Sequence, residues 1–197
     1  MRYEELTIEG RNAVLEAFRS GKTIDKLFVL DGCQDGPVKS ILREAKKTDT
    51  IINFVDKERL DRLANSGHHQ GVVAQAAAYE YAEVEDILNA AKEKGEAPFI
   101  FILDEIEDPH NLGAIIRTAN LCGAHGVIIP KRRAVGLTAT VAKTSAGAVN
   151  YTPVAKVTNI AKTIEELKKE VVAYMDEMYP DKNKTFKVEA RRSKKSY

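Results

Sequence analysis

The sequence predicts an α/β protein made of two successive units. Two observations lead there. Apolar runs of strand length alternate with amphipathic helical stripes, the pattern of βα repeats that wind a parallel sheet with right-handed crossovers. A strongly charged helical segment, residues 79–97, interrupts that alternation and reads as a connector. The chain has 197 residues, enough for one large domain or two small ones. Its 44% apolar content suits a packed core rather than disorder.

The elements follow in order. "GRNAVLEAFRSG" places Val14, Leu15 and Phe18 at helical spacing, with Gly21 as a stop. "IDKLFVLDG" ends in an apolar strand, Leu27 to Leu30. Pro37 to Lys47 is an amphipathic helix carrying Val38, Ile41, Leu42 and Ala45 on one side. "TIINFVD" is a strand, and "DKERLDRLANSG" is a short helix with Asp56 as N-cap and Gly67 as stop. "GVVAQAAA" closes the first unit, residues 1–78. Within the connector, Val84, Ile87, Leu88 and Ala91 form the stripe, and Gly95 and Pro98 the exit. The second unit, residues 98–170, opens with "PFIFILD", which reads as a strand buried on both faces. A helix from Pro109 to Cys122, the strand "GVIIP", a small-residue helix "LTATVAKTSAGA", the strand "TPVAKV" and a helix from Asn159 to about Met178 follow. "TFKVEAR", Thr185 to Arg191, reads as one more strand.

Charge and cysteines narrow the setting. Net charge is +1, which by itself names no partner. Its distribution is uneven: from Lys182 to Tyr197, Lys182, Lys184, Lys187, Arg191, Arg192, Lys194 and Lys195 face a single acid, Glu189, so residues 171–197 end as a basic tail on a mildly acidic body. Such a tail is either a polyanion-binding arm or a solvated terminus. Cys33 and Cys122 form no disulfide framework and no metal-spaced pair, as expected of a reducing, cytoplasmic setting. The first residues lack the apolar core of a signal peptide, and no run approaches the roughly 18 apolar residues of a membrane span.

The chemistry concentrates in "DEIEDPHNLGAIIRTANLCGAHGVIIP", residues 104–130. Asp108 followed by Pro109 is a helix start, so the helix begins at the carboxyl end of a strand, where ligands bind in open parallel sheets. Its free N–H groups attract anions. His110, Gly113 and Arg117 share one helical face, with Asn111 beside it. Gly113 lets a backbone or ligand approach closely. Arg117 brings a permanent charge and a planar fork suited to phosphate. The set suits a phosphodiester. The bland readings are a salt bridge from Arg117 to Asp104 or Glu107, a surface role for His110 and a local cap for Asn111. No dinucleotide fingerprint, phosphate-binding loop or nucleophile elbow is present. His68 and His69 have no ligand spaced to complete a metal site. Asp104 and Asp108 would make a cation pair only if Asp108 were not capping. No metal is expected.

These residues resemble a known family. "DPHNLGAIIRTANLCGAHGVIIP" with "KTSAGAVNYTPVAKVTN" is similar to the first half of the SpoU-type (SPOUT superfamily) RNA 2′-O-ribose methyltransferases, and N-L-G-x-I-x-R-T at Asn111–Thr118 is its specific signature. "IEGRNAVLEAF" and "HHQGVVAQ" resemble the L30e-like substrate-binding domain of that family's 23S rRNA guanosine branch. The resemblance spans about residues 6–170. It implies an L30e-like RNA-gripping domain before a Rossmann-like catalytic domain, transfer of a methyl group from S-adenosylmethionine to a ribose 2′-hydroxyl, ribosomal RNA as partner, and a homodimer. Asn111 and Arg117 stand at its catalytic motif positions; Arg11, Asn12, His110 and Arg117 are the implied RNA contacts. An arginine with a pKa above roughly 12 is a poor base, so Arg117 better suits holding phosphate and stabilising oxyanion charge. The family's glycine-rich segment with a glutamate, and its Ser/Asn-rich segment, build the knot that holds the methyl donor. Neither follows Glu170, so the catalytic domain is expected to stop short of its knot, with the donor-binding residues unassigned and catalysis impaired. The alternative expectation is an RNA-binding remnant or chimera without catalysis. "YPDKNKTFKVEARRSKKSY" instead resembles part of the THUMP domain of tRNA 4-thiouridine synthetases.

Overall fold

The computed structural model describes residues 6–178, which fall into two compact units divided after Ile160. The strand expected over Thr185–Arg191 and the basic run from Lys182 onward lie outside the described residues.

The first unit contains two sheets. Its first lobe comprises β1 (Thr7–Glu9), α1 (Arg11–Arg19), β2 (Ile24–Leu30), α2 (Gly36–Lys47), β3 (Ile51–Val55), α3 (Lys57–Leu63) and β4 (Val72–Ala76). The sheet order is β1-β4-β2-β3. Only β2 and β3 run parallel; β4 is antiparallel to both β1 and β2. β1 is absent from the sequence reading because three residues, "TIE", carry no periodicity and are fixed by pairing with β4. Helix ends follow local chemistry: Asp35 and Asp56 side chains accept from the N–H groups of Val38 and Arg59, capping α2 and α3. Val14, Leu27, Val29, Val38, Ile41 and Val72 pack one face of the sheet against α1 and α2. On the other face α3 covers only part, with Leu60 against Phe28, Val55 and Val73.

The connector helix is α4 (Val84–Lys94), ended by Gly95 in the left-handed region at φ 67°. The second lobe holds β5 (Ile100–Ile102), α5 (Pro109–Leu121), β6 (Gly126–Pro130), α6 (Ala139–Thr144), a 3₁₀ turn (Ala148–Asn150) and β7 (Val154–Val157). Its sheet is parallel, ordered β5-β6-β7. "PFIFILD" reads in the sequence as a strand buried on both faces. In the structure only Ile100–Ile102 pairs, each residue half-buried, because β5 has a single neighbour among the described strands. The strand buried along its whole length is β6, which lies between the other two. α7 (Ile160–Met178) begins at the division between units.

A buried polar node joins the two lobes. Asp25 on β2 meets Lys156 on β7 at 2.5 Å, with side chains 9% and 11% exposed. The Tyr81 hydroxyl donates to Asp25 at 3.0 Å and accepts from the Leu137 N–H at 2.9 Å. Burial, then the Asp25 charge, pushes the Tyr81 hydroxyl far above its ordinary range. Lys156 Nζ also stands 4.8 Å from the Tyr81 ring centre. A Cβ on Gly136 would come within 2.0 Å of Asp25 Oδ2, so glycine is required there by space.

Candidate functional site

α5 starts as its sequence dictates. Asp108 Oδ1 accepts from the His110 N–H at 2.9 Å, and Pro109 occupies the first turn. Capping thus uses Asp108, which removes it from any cation pair with Asp104; the Asp104 carboxylate accepts from the Glu105 N–H at 3.0 Å instead. No group of metal-ligating side chains occurs among the described residues.

His110, Asn111 and Arg117 are all exposed on α5; His110 and Arg117 share one face of the helix, and Asn111 lies on a neighbouring one. Arg117 makes no ion pair among the described residues, because Glu105 turns to Arg133 at 3.1 Å and neither Asp104 nor Glu107 reaches the guanidinium. Its charge therefore stays available. Asn111 borders a hollow of ≈ 330 Å³ walled by Phe101, Ile106, Ala114, Ile115 and Thr118. Gly113 has a different role: it is buried, and a Cβ there would meet Thr144 Oγ1 at 1.9 Å and the Ser145 nitrogen at 2.9 Å. The close approach it allows is to α6, not to a ligand. α6 is locked in turn by the Thr144 hydroxyl, which donates to the Thr140 carbonyl at 2.8 Å. The turn after it bends through Ala146 and Gly147, both at positive φ.

Arg11 and Asn12 lie apart from this face, at the start of α1 in the first lobe. The Arg11 guanidinium is occupied: it pairs with Asp35 at 2.6 Å and donates to the Gln70 carbonyl at 3.0 Å. Asn12 is exposed. His69 is buried, its Nδ1 accepting from the Gly71 N–H at 3.0 Å and its Nε2 meeting Asp61 at 2.8 Å, so it shapes the turn into β4. A second cationic cluster, Lys26, Arg59 and the run Lys131-Arg132-Arg133, lines a cleft of ≈ 830 Å³. Sequence reasoning missed it; three consecutive basic residues at the carboxyl end of an apolar strand were the available signal.

The comparisons with known proteins place the chain in a family. Residues 7–82 match the family model for RNA 2′-O ribose methyltransferase substrate binding, and residues 98–195 match the SpoU rRNA methylase family. The chain belongs to the SpoU family. This SpoU-family chain is 54% identical over 159 residues to YacO of Bacillus subtilis, which is named as a TrmH family tRNA/rRNA methyltransferase. That match covers 81% of the chain and 64% of YacO. A Staphylococcus haemolyticus protein of the same name class is 50% identical over 165 residues, covering 84% of the chain and 66% of that protein. The SpoU-family chain thus spans just under two thirds of these relatives' length. Among solved structures, the SpoU methyltransferase AviRb from Streptomyces viridochromogenes, determined with AdoMet, matches with a TM-score of 0.42 and 19% identity, over 86% of this chain and 60% of AviRb.

Proposed function

We propose that this chain acts on RNA as part of a methyltransferase that moves a methyl group from S-adenosylmethionine to a ribose 2′-hydroxyl. The observation that carries the reading is Arg117: exposed, free of ion pairs among the described residues, and on one helix face with His110 behind an Asp108-capped start. Arg117 holds a phosphate beside the target ribose and offsets charge developing on the 2′-oxygen. His110 extends that anion site. Asn111 positions the ribose. The first lobe is L30e-like and grips structured RNA, with Asn12 the better placed contact, since Arg11 is held by Asp35. The substrate is ribosomal RNA at a guanosine, and the assembled enzyme is a homodimer.

S-adenosylmethionine carries a sulfonium cation. The ≈ 830 Å³ cleft is lined by five basic residues together with Asp49 and Glu107, and the hollow beside Asn111 has no carboxylate in its walls. The second reading is an RNA-holding protein without catalysis. Calorimetric titration of the 197-residue chain with S-adenosylmethionine, alongside binding of labelled RNA, separates the two. Micromolar binding of the donor supports the enzyme; RNA binding without donor binding supports the second reading. Binding of neither overturns both.

A further inference from the structure

The cleft between the two sheets follows from how α3 covers the first one. Lys26 and Phe28 on β2 face the same way as their partners Ile51 and Asn53 on β3. α3 seals Phe28 but leaves the Lys26–Ile51 end bare. The loop leaving β6 in the second lobe, Lys131 to Val135, forms the facing wall. Five cations therefore converge: Lys26, Arg59, Lys131, Arg132 and Arg133. Two of them are neutralised, Lys131 by Asp49 at 2.5 Å and Arg133 by Glu105 at 3.1 Å. Lys26, Arg59 and Arg132 make no ion pair among the described residues. Asp49 and Arg133 are held at φ 52° and 57°, a conformation that costs free energy in residues with a Cβ.

We propose that this cleft is a second RNA site, which takes the backbone of a single strand across Lys26, Arg59 and Arg132. The inference rests on the RNA reading above and extends it to a separate surface. A volume of ≈ 830 Å³ has room for a few nucleotides, not for a duplex. Cationic grooves of this kind track phosphates without reading sequence. The wall also includes Glu107, the residue before the Asp108 cap of α5. A strand lying in the cleft is thus led toward the helix that carries Asn111 and Arg117, and the first lobe's grip is transmitted to the reacting ribose.

The test is binding of a fluorescein-labelled single-stranded RNA oligonucleotide over a salt series. Each phosphate neutralised on a single strand contributes about 0.7 to the slope of log affinity against log salt. The variant Lys26→Ala/Arg59→Ala/Arg132→Ala should lower that slope by about 2 and weaken binding by at least about 10-fold at low salt. Arg132→Ala alone, on an exposed loop, should lower it by about 0.7 while leaving the melting temperature unchanged. Lys39→Ala/Lys46→Ala on α2, across the sheet from the cleft, should bind as the parent does. Cleft variants that keep the parental affinity and slope overturn the second site while leaving the RNA reading standing. A parent chain that binds no RNA overturns the RNA reading itself.

Discussion

Arg117 and Gly113 occupy the same helix yet answer to different constraints. Arg117 faces solvent and keeps its charge, so its replacement should leave the fold intact. Arg117→Ala should weaken RNA binding and reduce its salt dependence, while Arg117→Lys restores the charge without the planar fork. Partial recovery in the lysine variant, measured by titration with labelled RNA, is the expected result; full recovery would reduce Arg117 to a point charge. Gly113 faces α6. Gly113→Ala places a methyl against Thr144 and Ser145, so overpacking should cost about 1–3 kcal/mol and lower the melting temperature. A variant that melts like the parent would show that α6 yields. The sequence revealed both residues as special, but for Gly113 it left open whether a ligand or a backbone approaches. That choice depends on a helix packed thirty residues further along, which no local pattern encodes.

Among the elements, those with self-contained signals were legible. Asp108-Pro109 announces α5, Asp56 caps α3, and Gly95 ends α4, each through chemistry that lies within a turn of the boundary. What escaped depends on neighbours. β1 exists only as a partner of β4, and β5 and β6 look alike as apolar runs although their burial differs with their place in the sheet. Truncation separates them. Ile128→Ala in β6, fully buried, should cost about 2–5 kcal/mol. Ile100→Ala in β5, half-buried, should cost less. Chemical denaturation of both variants checks the order, and equal losses would mean that β5 is as enclosed as its neighbour.

For the molecule as a whole, polar contacts tie the first lobe to the second. Asp49 in the first lobe accepts from Lys131 in the second, and that hydrogen bond, with the Lys131 charge, holds its carboxyl below the ordinary 3.8. A carboxyl depressed in the folded state stabilises it above the unfolded value, and that contribution fades as pH falls through the folded one. Melting should therefore drop as pH is lowered below about 4, and the drop should be smaller in Asp49→Asn. An identical profile in that variant would mean that the pair adds nothing to stability. The buried node of Asp25, Tyr81 and Lys156 has a broader consequence. A carboxylate in one lobe is complete only with an ammonium from the other and a hydroxyl from the connector. The lobes are therefore not interchangeable cassettes. A first lobe grafted onto another protein's second lobe would carry a stranded charge in its joint unless the lysine and the tyrosine travelled with it.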